Sequence, residues 1–283
     1  MPKVGIIGGS GLYQIDALKN INEITMETPF GEPSDSFIIG NLGGVEVAFL
    51  ARHRRGHTIL PTEINYRANI YAMKKLGVEQ LLSISAVGSF KKELKPLDIV
   101  LPDQFVDRTN QARKTTFFGQ GVVAHISFAD PVCADLRKII YDTGKKLGVT
   151  MHDKGVYLNM EGPAFSTRAE SHLYKSWGMD IIGMTNMPEA RLAREAEMCF
   201  ATIALVTDYD CWYEEAVNIE MVIGNLLKNV VTVKKIIKEV VPLLSKERKC
   251  SCSEALKYSI VTDKKLIPEH TKEKLDIIIG KYL

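Results

Sequence analysis

The chain alternates short unbroken apolar runs with longer stretches whose apolar positions recur three and four residues apart. The runs read as buried strands and the stretches as amphipathic helices. Val4-Gly5-Ile6-Ile7 is the first strand, closed by the turn Gly8-Gly9-Ser10-Gly11. Residues 36–39 and 45–51 predict two more strands around Asn41-Leu42-Gly43-Gly44. Residues 63–76 predict a helix ended by Gly77. A strand over 80–85 leads into the small-residue turn Ser85-Ala86-Val87-Gly88-Ser89, and 98–101 predicts another strand. Residues 107–121 show little periodicity and read as a long loop.

The spacing predicts a helix over 131–147, with Asp130 as its cap and Gly148 past its end. A strand over 155–160 and a helix over 168–177 follow. The short strand 180–183 ends at Met184-Thr185. Asn186 then caps a helix running to about Met198, with Pro188 in its first turn and Glu189 three residues after the cap. Residues 200–206 predict a buried strand, and 218–244 a long helix with Ile219, Val222, Ile223, Leu226, Leu227 and Val230 at helical spacing. Strands and helices alternate throughout, which predicts a single α/β domain: a central twisted sheet, mixed but largely parallel, flanked by helices. No repeat or low-complexity linker interrupts it. The domain is expected over 1–245, with 246–283 as a charged, helical C-terminal extension packed on it.

Bulk properties narrow the class. The 283 residues are 46% hydrophobic and 25% charged, with a formal net charge of +2. That near balance argues against a general nucleic-acid binder. No apolar run approaches membrane-span length. Met1-Pro2-Lys3 leads straight into a strand without a signal-peptide pattern, so a cytoplasmic location is expected. Five cysteines are too few and too odd in number for a secreted disulfide scaffold. Buried free thiols are the plain reading. Cys250-Ser251-Cys252, beside charged residues, is expected at the surface. No Cys or His near it in sequence completes a zinc set, so no metal site is expected.

The chemistry gathers where strands end. Asp208 and Asp210 stand two residues apart just past the run 200–206, flanked by Tyr209 and Trp212. Open α/β sheets place ligands at such strand ends, and carboxylates among apolar neighbours need a partner; ligand recognition ranks ahead of a structural ion pair. Gly5-Ile6-Ile7-Gly8-Gly9-Ser10-Gly11 fails the dinucleotide pattern, because position 14 is Gln14, and no Gly-Lys-Ser/Thr follows for a nucleotide phosphate loop. A turn of free amides with the Ser10 hydroxyl remains, which suits an oxyanion or is a plain tight turn. Arg52-His53-Arg54-Arg55-Gly56-His57 follows the strand 45–51. Its arginines favour phosphate over a solvated basic turn, and both over a metal on His53 and His57. Phe165 in the turn after residue 160 offers stacking on a base or core packing. With Ser85, Ala86 and Thr185, five strand ends supply hydroxyls, amides and an arginine beside an aromatic and two acids. An anion together with a purine fits that inventory.

At these residues the chain resembles the purine nucleoside phosphorylase family, and within it the 5′-methylthioadenosine phosphorylases. The resemblance covers about residues 3–245. It rests on Gly-Gly-Ser-Gly at 8–11, Thr28-Pro29-Phe30-Gly31-Glu32-Pro33-Ser34-Asp35, Ala51-Arg52-His53, Ser85-Ala86-Val87-Gly88-Ser89, Glu161-Gly162-Pro163, Met184-Thr185 and Asp208-Tyr209-Asp210-Cys211-Trp212, in that order. It implies phosphorolysis of methylthioadenosine to adenine and methylthioribose 1-phosphate, a salvage reaction, with inorganic phosphate as co-substrate and neither metal nor organic cofactor. It implies phosphate held by Ser10, Arg52, His53, Ser85, Ala86 and Thr185, and Met184 under the ribose. Phe165 would line the base pocket, Asp208 and Asp210 would read adenine, and Ser166, Ile219 and Val222 would shape substrate choice. His57, and His125 of a neighbouring subunit, would border the ribose and methylthio end of a trimer or hexamer. The C-terminal extension with Cys250 and Cys252 resembles thermophilic archaeal members that carry intrachain disulfides, and the same likeness implies Cys133 with Cys199 as a further pair. In chemical terms Asp208, its pKa raised by burial and by Asp210, is expected to donate to purine N7. The alternatives are a broad purine nucleoside phosphorylase, a nucleosidase using water, and a non-catalytic redox-responsive nucleotide-binding protein.

Overall fold

A computed structural model describes residues 1–9, 12, 14–110, 113–213, 219–245 and 247–283. Among these residues eleven strands form one mixed sheet: β1 (Val4–Gly8), β2 (Lys19–Ile24), β3 (Phe37–Leu42), β4 (Val45–Ala51), β5 (Gln80–Ser89), β6 (Ile99–Val100), β7 (Gln104–Arg108), β8 (Met151–His152), β9 (Val156–Met160), β10 (Ile181–Gly183) and β11 (Cys199–Tyr209). Among the described residues six α-helices accompany it: α1 (Tyr66–Lys75), α2 (Ala134–Lys146), α3 (Arg168–Ser176), α4 (Asn186–Glu195), α5 (Ile219–Val240) and α6 (Glu269–Ile279). The main path runs β2-β3-β4-β1-β5-β10-β9-β7, while β11 pairs β5 and β6, and β6 pairs β8. Parallel pairs predominate, as the alternation of elements predicts.

Strand alternation explains the two-sided burial. In β4, Val47 and Phe49 enter the core beneath α2 and α5, while Ala48 and Leu50 enter the one beneath α1, α4 and α6. The central strand β5 pairs β1 over its first residues, β10 over its last, and β11 along its whole length.

Several expected boundaries move, each for a physical reason. Ser85 to Ser89 is not a turn: β5 continues to Ser89 because β11 remains paired beside it. Asp208 likewise lies within β11 rather than past it. Asp130 does not cap α2. Cys133 N–H bonds Phe200 O (2.9 Å), tying that stretch to β11, and the helix starts at Ala134. Asn186 is not a cap either, since Thr185 holds that position. The Asn186 amide is buried, donating to Ser83 Oγ (2.9 Å) and accepting from Thr202 Oγ1 (2.7 Å). Among the described residues of 246–283, only Glu269–Ile279 is α-helical; short 3-10 turns fill part of the rest. Leu256, Ile267, Leu275, Ile278 and Ile279 of this stretch are buried in the core shared with α1 and α4. Among the described residues no helix is long and apolar enough to cross a membrane.

The cysteines depart furthest from expectation. Cys252 is buried and Cys250 half-buried, not exposed. None is disulfide-bonded, so the implied pairings are not formed. Nor does the Cys250-Ser251-Cys252 pair lack neighbours, because Cys133 and Cys199 come to it in space.

Candidate active site

The far ends of β5 and β11 carry the acids. The strands keep parallel register from Cys199↔Gln80 to Val206↔Val87, then slip, so that Asp208 pairs Gly88 with Thr207 as the extra residue. Such a bulge re-aims the side chains that follow it. Thr207 Oγ1–H donates to Asp208 Oδ2 (2.7 Å). Residue 88 must be small, because a Cβ there would lie 3.0 Å from Asp208 Oδ1 and 3.4 Å from Asp210 Cβ.

Asp208 is 6% exposed and Asp210 4%. Burial pushes the pKa of Asp208 up to about 6; the Thr207 bond opposes this and the charge of Asp210 adds to it. Burial raises Asp210 as well, against a short bond from Ser171 Oγ and the backbone N–H of Cys211. Two neighbouring carboxyls set this way can carry a proton near neutral pH. Cys211 Sγ donates to Ser166 O (3.1 Å), drawing the 161–167 turn to the acids. Ser166 is buried beside it, while Phe165 is 44% exposed. Trp212 Nε1–H closes the end by donating to Ser89 O (2.7 Å).

The basic segment is sorted by its partners. Arg52 is 2% exposed and pairs with the fully buried Glu189 through Nε and through Nη2 (2.9 Å). Nη1 donates to Ile84 O (2.9 Å) and Nη2 to Ser83 Oγ (2.7 Å), which leaves one Nη1 hydrogen for a ligand. Arg54 and Arg55 do not join it. Arg54 donates to Ser34 O, and Arg55 pairs with Asp35 and Glu23 at the surface. His53 donates through Nδ1 to Ile59 O (2.8 Å), and burial, with the charge of Arg52 nearby, pushes its pKa down to about 4. It is therefore a neutral ring whose Nε2 accepts, rather than part of a positive cluster. His57 stacks on it at 4.4 Å between centroids.

Between these groups, Ser85 Oγ stands 3.1 Å from Tyr157 Oη, and Ala86 is exposed although it lies mid-strand, so β5 is uncovered there. Thr185 is buried at the head of α4. Arg52 N–H bonds Gly8 O (2.9 Å), which puts the end of β1 beside this group. Ser10 itself lies outside the described residues. Ile219 and Val222 open α5, joined to the acids by Asn225 Nδ2–H donating to Thr207 O (2.8 Å). His125 belongs to another stretch: it lies exposed on a loop whose backbone bonds Ser259 of the C-terminal segment (2.8 Å).

Glu189, Ser171, Asn225 and Arg113 join the site through partners distant in sequence, which no local pattern marks. Arg113, inside the expected loop, donates to Glu161 Oε1 (2.9 Å), Glu161 O (2.6 Å) and Met184 O, clamping the ends of β9 and β10 together. Gly162 faces this clamp with φ +71°, and a Cβ there would lie 2.5 Å from Met184 Sδ. Gly162→Ala is expected to cost about 1–2 kcal/mol from the left-handed backbone alone and to displace Met184. Urea unfolding and substrate KM, measured together, check both effects.

A largely parallel α/β sheet that carries a protonatable acid pair at the β11 bulge, and a buried arginine with hydroxyls on the adjoining strand β5, has the frame of a group-transfer enzyme. The chain belongs to the phosphorylase superfamily, whose family profile matches residues 3–242. It is 57% identical over 282 residues to the S-methyl-5′-thioadenosine phosphorylase of Geobacter sulfurreducens, covering 99% of both chains. Among solved structures, it superposes on a methylthioadenosine phosphorylase from an antarctic soil metagenomic library with a TM-score of 0.93 at 49% identity, covering 98% of each chain. It also superposes on the Schistosoma mansoni methylthioadenosine phosphorylase in complex with adenine, with a TM-score of 0.85 at 39% identity, covering 91% of this chain and 96% of that one.

Proposed function

We propose that this protein phosphorolyses S-methyl-5′-thioadenosine to adenine and 5-methylthioribose 1-phosphate. The observation that carries the reading is the buried acid pair at the β11 bulge, with Asp208 poised near pH 6, beside strand β5, which carries Ser85 and bonds Arg52 through Ile84 O. A purine leaves its sugar poorly unless the ring takes a proton. Asp208 donates that proton at N7, and Asp210 accepts from the exocyclic amine. As the C1′–N9 bond breaks, its electron pair passes into the purine and a phosphate oxygen closes on C1′. The dianion itself offsets the positive charge developing on the sugar.

In this reading Arg52 contributes its remaining Nη1 hydrogen to the phosphate, alongside Ser10, Ser85, the Ala86 backbone and Thr185. Neutral His53 accepts from a protonated phosphate oxygen or a ribose hydroxyl. Met184 lies under the ribose and Phe165 edges the base. Ser166, Ile219 and Val222 favour the thioether over a 5′-hydroxyl. Inorganic phosphate is a co-substrate, and the chemistry asks for no metal or organic cofactor. The setting is a cytoplasmic homo-oligomer, trimer or hexamer, in which His57, and His125 of a neighbouring subunit, border the ribose and methylthio end. Supporting the oligomer, Ile219, Ile223, Leu227 and Val231 form an i, i+4 stripe along α5, each more than half exposed.

The test follows free adenine from methylthioadenosine with and without phosphate. Release only with phosphate, matched by sugar phosphate, is expected. Equal release in phosphate-free buffer would make the enzyme a hydrolase, and tight adenine binding without release in either buffer would make it a binding protein.

A further inference from the structure

Four thiols from three distant stretches meet at the end of β11 away from the acids. Cys199 opens that strand, nine residues before Asp208, which is roughly 30 Å of extended chain. Cys133 stands at the head of α2, and Cys250 and Cys252 lie at the short turn Ser251–Glu254. Their four Sγ atoms all lie within 4.8 Å of one another, with Cys199 and Cys250 at 3.2 Å. Cys211, the fifth cysteine, belongs instead to the acid pair.

We propose that Cys133, Cys199, Cys250 and Cys252 form a closed tetrathiolate site for a structural zinc ion. Four sulfurs at Zn–S bonds of about 2.3 Å form a tetrahedron with edges of about 3.8 Å, within the spread seen here. Disulfide pairing would sort the sulfurs into two separate pairs, whereas here all four Sγ atoms share one cluster within 4.8 Å. Tetrahedral sulfur sets select zinc among the common divalent ions. Binding proceeds as Zn²⁺ plus four thiols giving a tetrathiolate of net charge 2− and four protons, with no oxidant or reductant.

The surroundings suit that charge. Cys133 stands at the N-terminus of α2, where the helix dipole favours negative charge. The Arg248 guanidinium lies 4.0 Å from Cys199 Sγ while also donating to Glu79 O (3.2 Å) and Glu197 O (3.1 Å). Such donors orient and neutralise thiolate ligands. The consequence is mechanical. A metal here pins the C-terminal segment to α2 and β11, and further along that segment Ser259 and Val261 bond the loop bearing His125.

The experiment uses the full chain, purified untagged and without chelator. Elemental analysis, thiol titration and intact mass under non-reducing denaturation are read together. About one zinc per chain is expected, with four thiols shielded until the metal is removed and a fully reduced mass. Cobalt exchanged into the site should show sulfur-to-metal charge transfer and the visible bands of tetrahedral coordination. Cys252→Ser should abolish both the metal and the cobalt spectrum, and Cys211→Ser should keep them. Metal removal should lower Tm. Iron at the same stoichiometry would support the site and reassign its ion. Metal-free protein with four reactive thiols, or a mass lower by the four hydrogens of two disulfides, overturns the proposal. Should Cys252→Ser fail to fold, the wild-type stoichiometry and cobalt spectrum decide alone.

Discussion

Asp208→Asn is expected to slow adenine release about 10²–10⁴-fold, the usual contribution of a general acid. The amide cannot give N7 a proton. It can donate to a 6-oxo group, which a carboxylate repels, so relative activity on 6-oxopurine nucleosides should rise. The pH profile follows from the same group. Burial pushes Asp208 up to about 6, so kcat/KM of the native enzyme should fall as pH rises through that value, and the fall should vanish in the Asn variant. Stability should move the other way. A carboxyl raised from 3.8 to about 6 favours folding fully below 3.8, and that benefit is lost as pH rises through 6. Near neutral pH, Asn at this position should therefore be more stable, by on the order of 2–3 kcal/mol. The gain should shrink as pH falls toward 3.8. Thermal unfolding across that range, beside steady-state rates on adenine and hypoxanthine nucleosides, tests both limbs. An unchanged base preference with an undiminished rate would sink the assignment.

The acids were legible because two carboxylates directly after a buried apolar run have few other reasons to be there. Their exact setting was not. Ser85-Ala86-Val87-Gly88-Ser89 has turn composition, yet it is strand, because β11 pairs with it throughout and small residues leave room for Asp208 and Asp210. β2 was illegible for the opposite reason: it is an exposed, polar edge strand, Lys-Asn-Ile-Asn-Glu-Ile, paired only with β3. A strand with no buried face leaves no period-2 signal. Arg54 and Arg55 looked like phosphate ligands because sequence shows charge but not direction; Arg54 turns to the Ser34 carbonyl and Arg55 to Asp35 and Glu23. Long-range partners were the real limit. Glu189 read as a helix-start residue, but its position is set by Arg52, 137 residues away. Cys133 and Cys199 joined Cys250 and Cys252 only through the fold.

Glu189→Ala is expected to be the most destabilising single change, at about 3–5 kcal/mol, because it strands a buried guanidinium. Both partners are almost fully enclosed, so water cannot replace the lost carboxylate. Arg52→Met should cost somewhat less, since Ser83 Oγ still donates to Glu189 Oε2 (2.6 Å). The double variant Arg52→Met/Glu189→Leu leaves neither charge unpaired, and a buried ion pair replaced by apolar groups of similar volume is often near neutral. Its urea midpoint should therefore recover most of the loss. Phosphate affinity should not recover with it, because the remaining Nη1 hydrogen is gone and with it a charge-assisted bond to the dianion. The cycle separates two functions carried by one side chain: pairing with Glu189, and anion binding through the remaining Nη1 hydrogen. Recovery of both the urea midpoint and phosphate KM in the double variant would reduce Arg52 to scaffold and leave the anion to the hydroxyls and amides of β5 and α4.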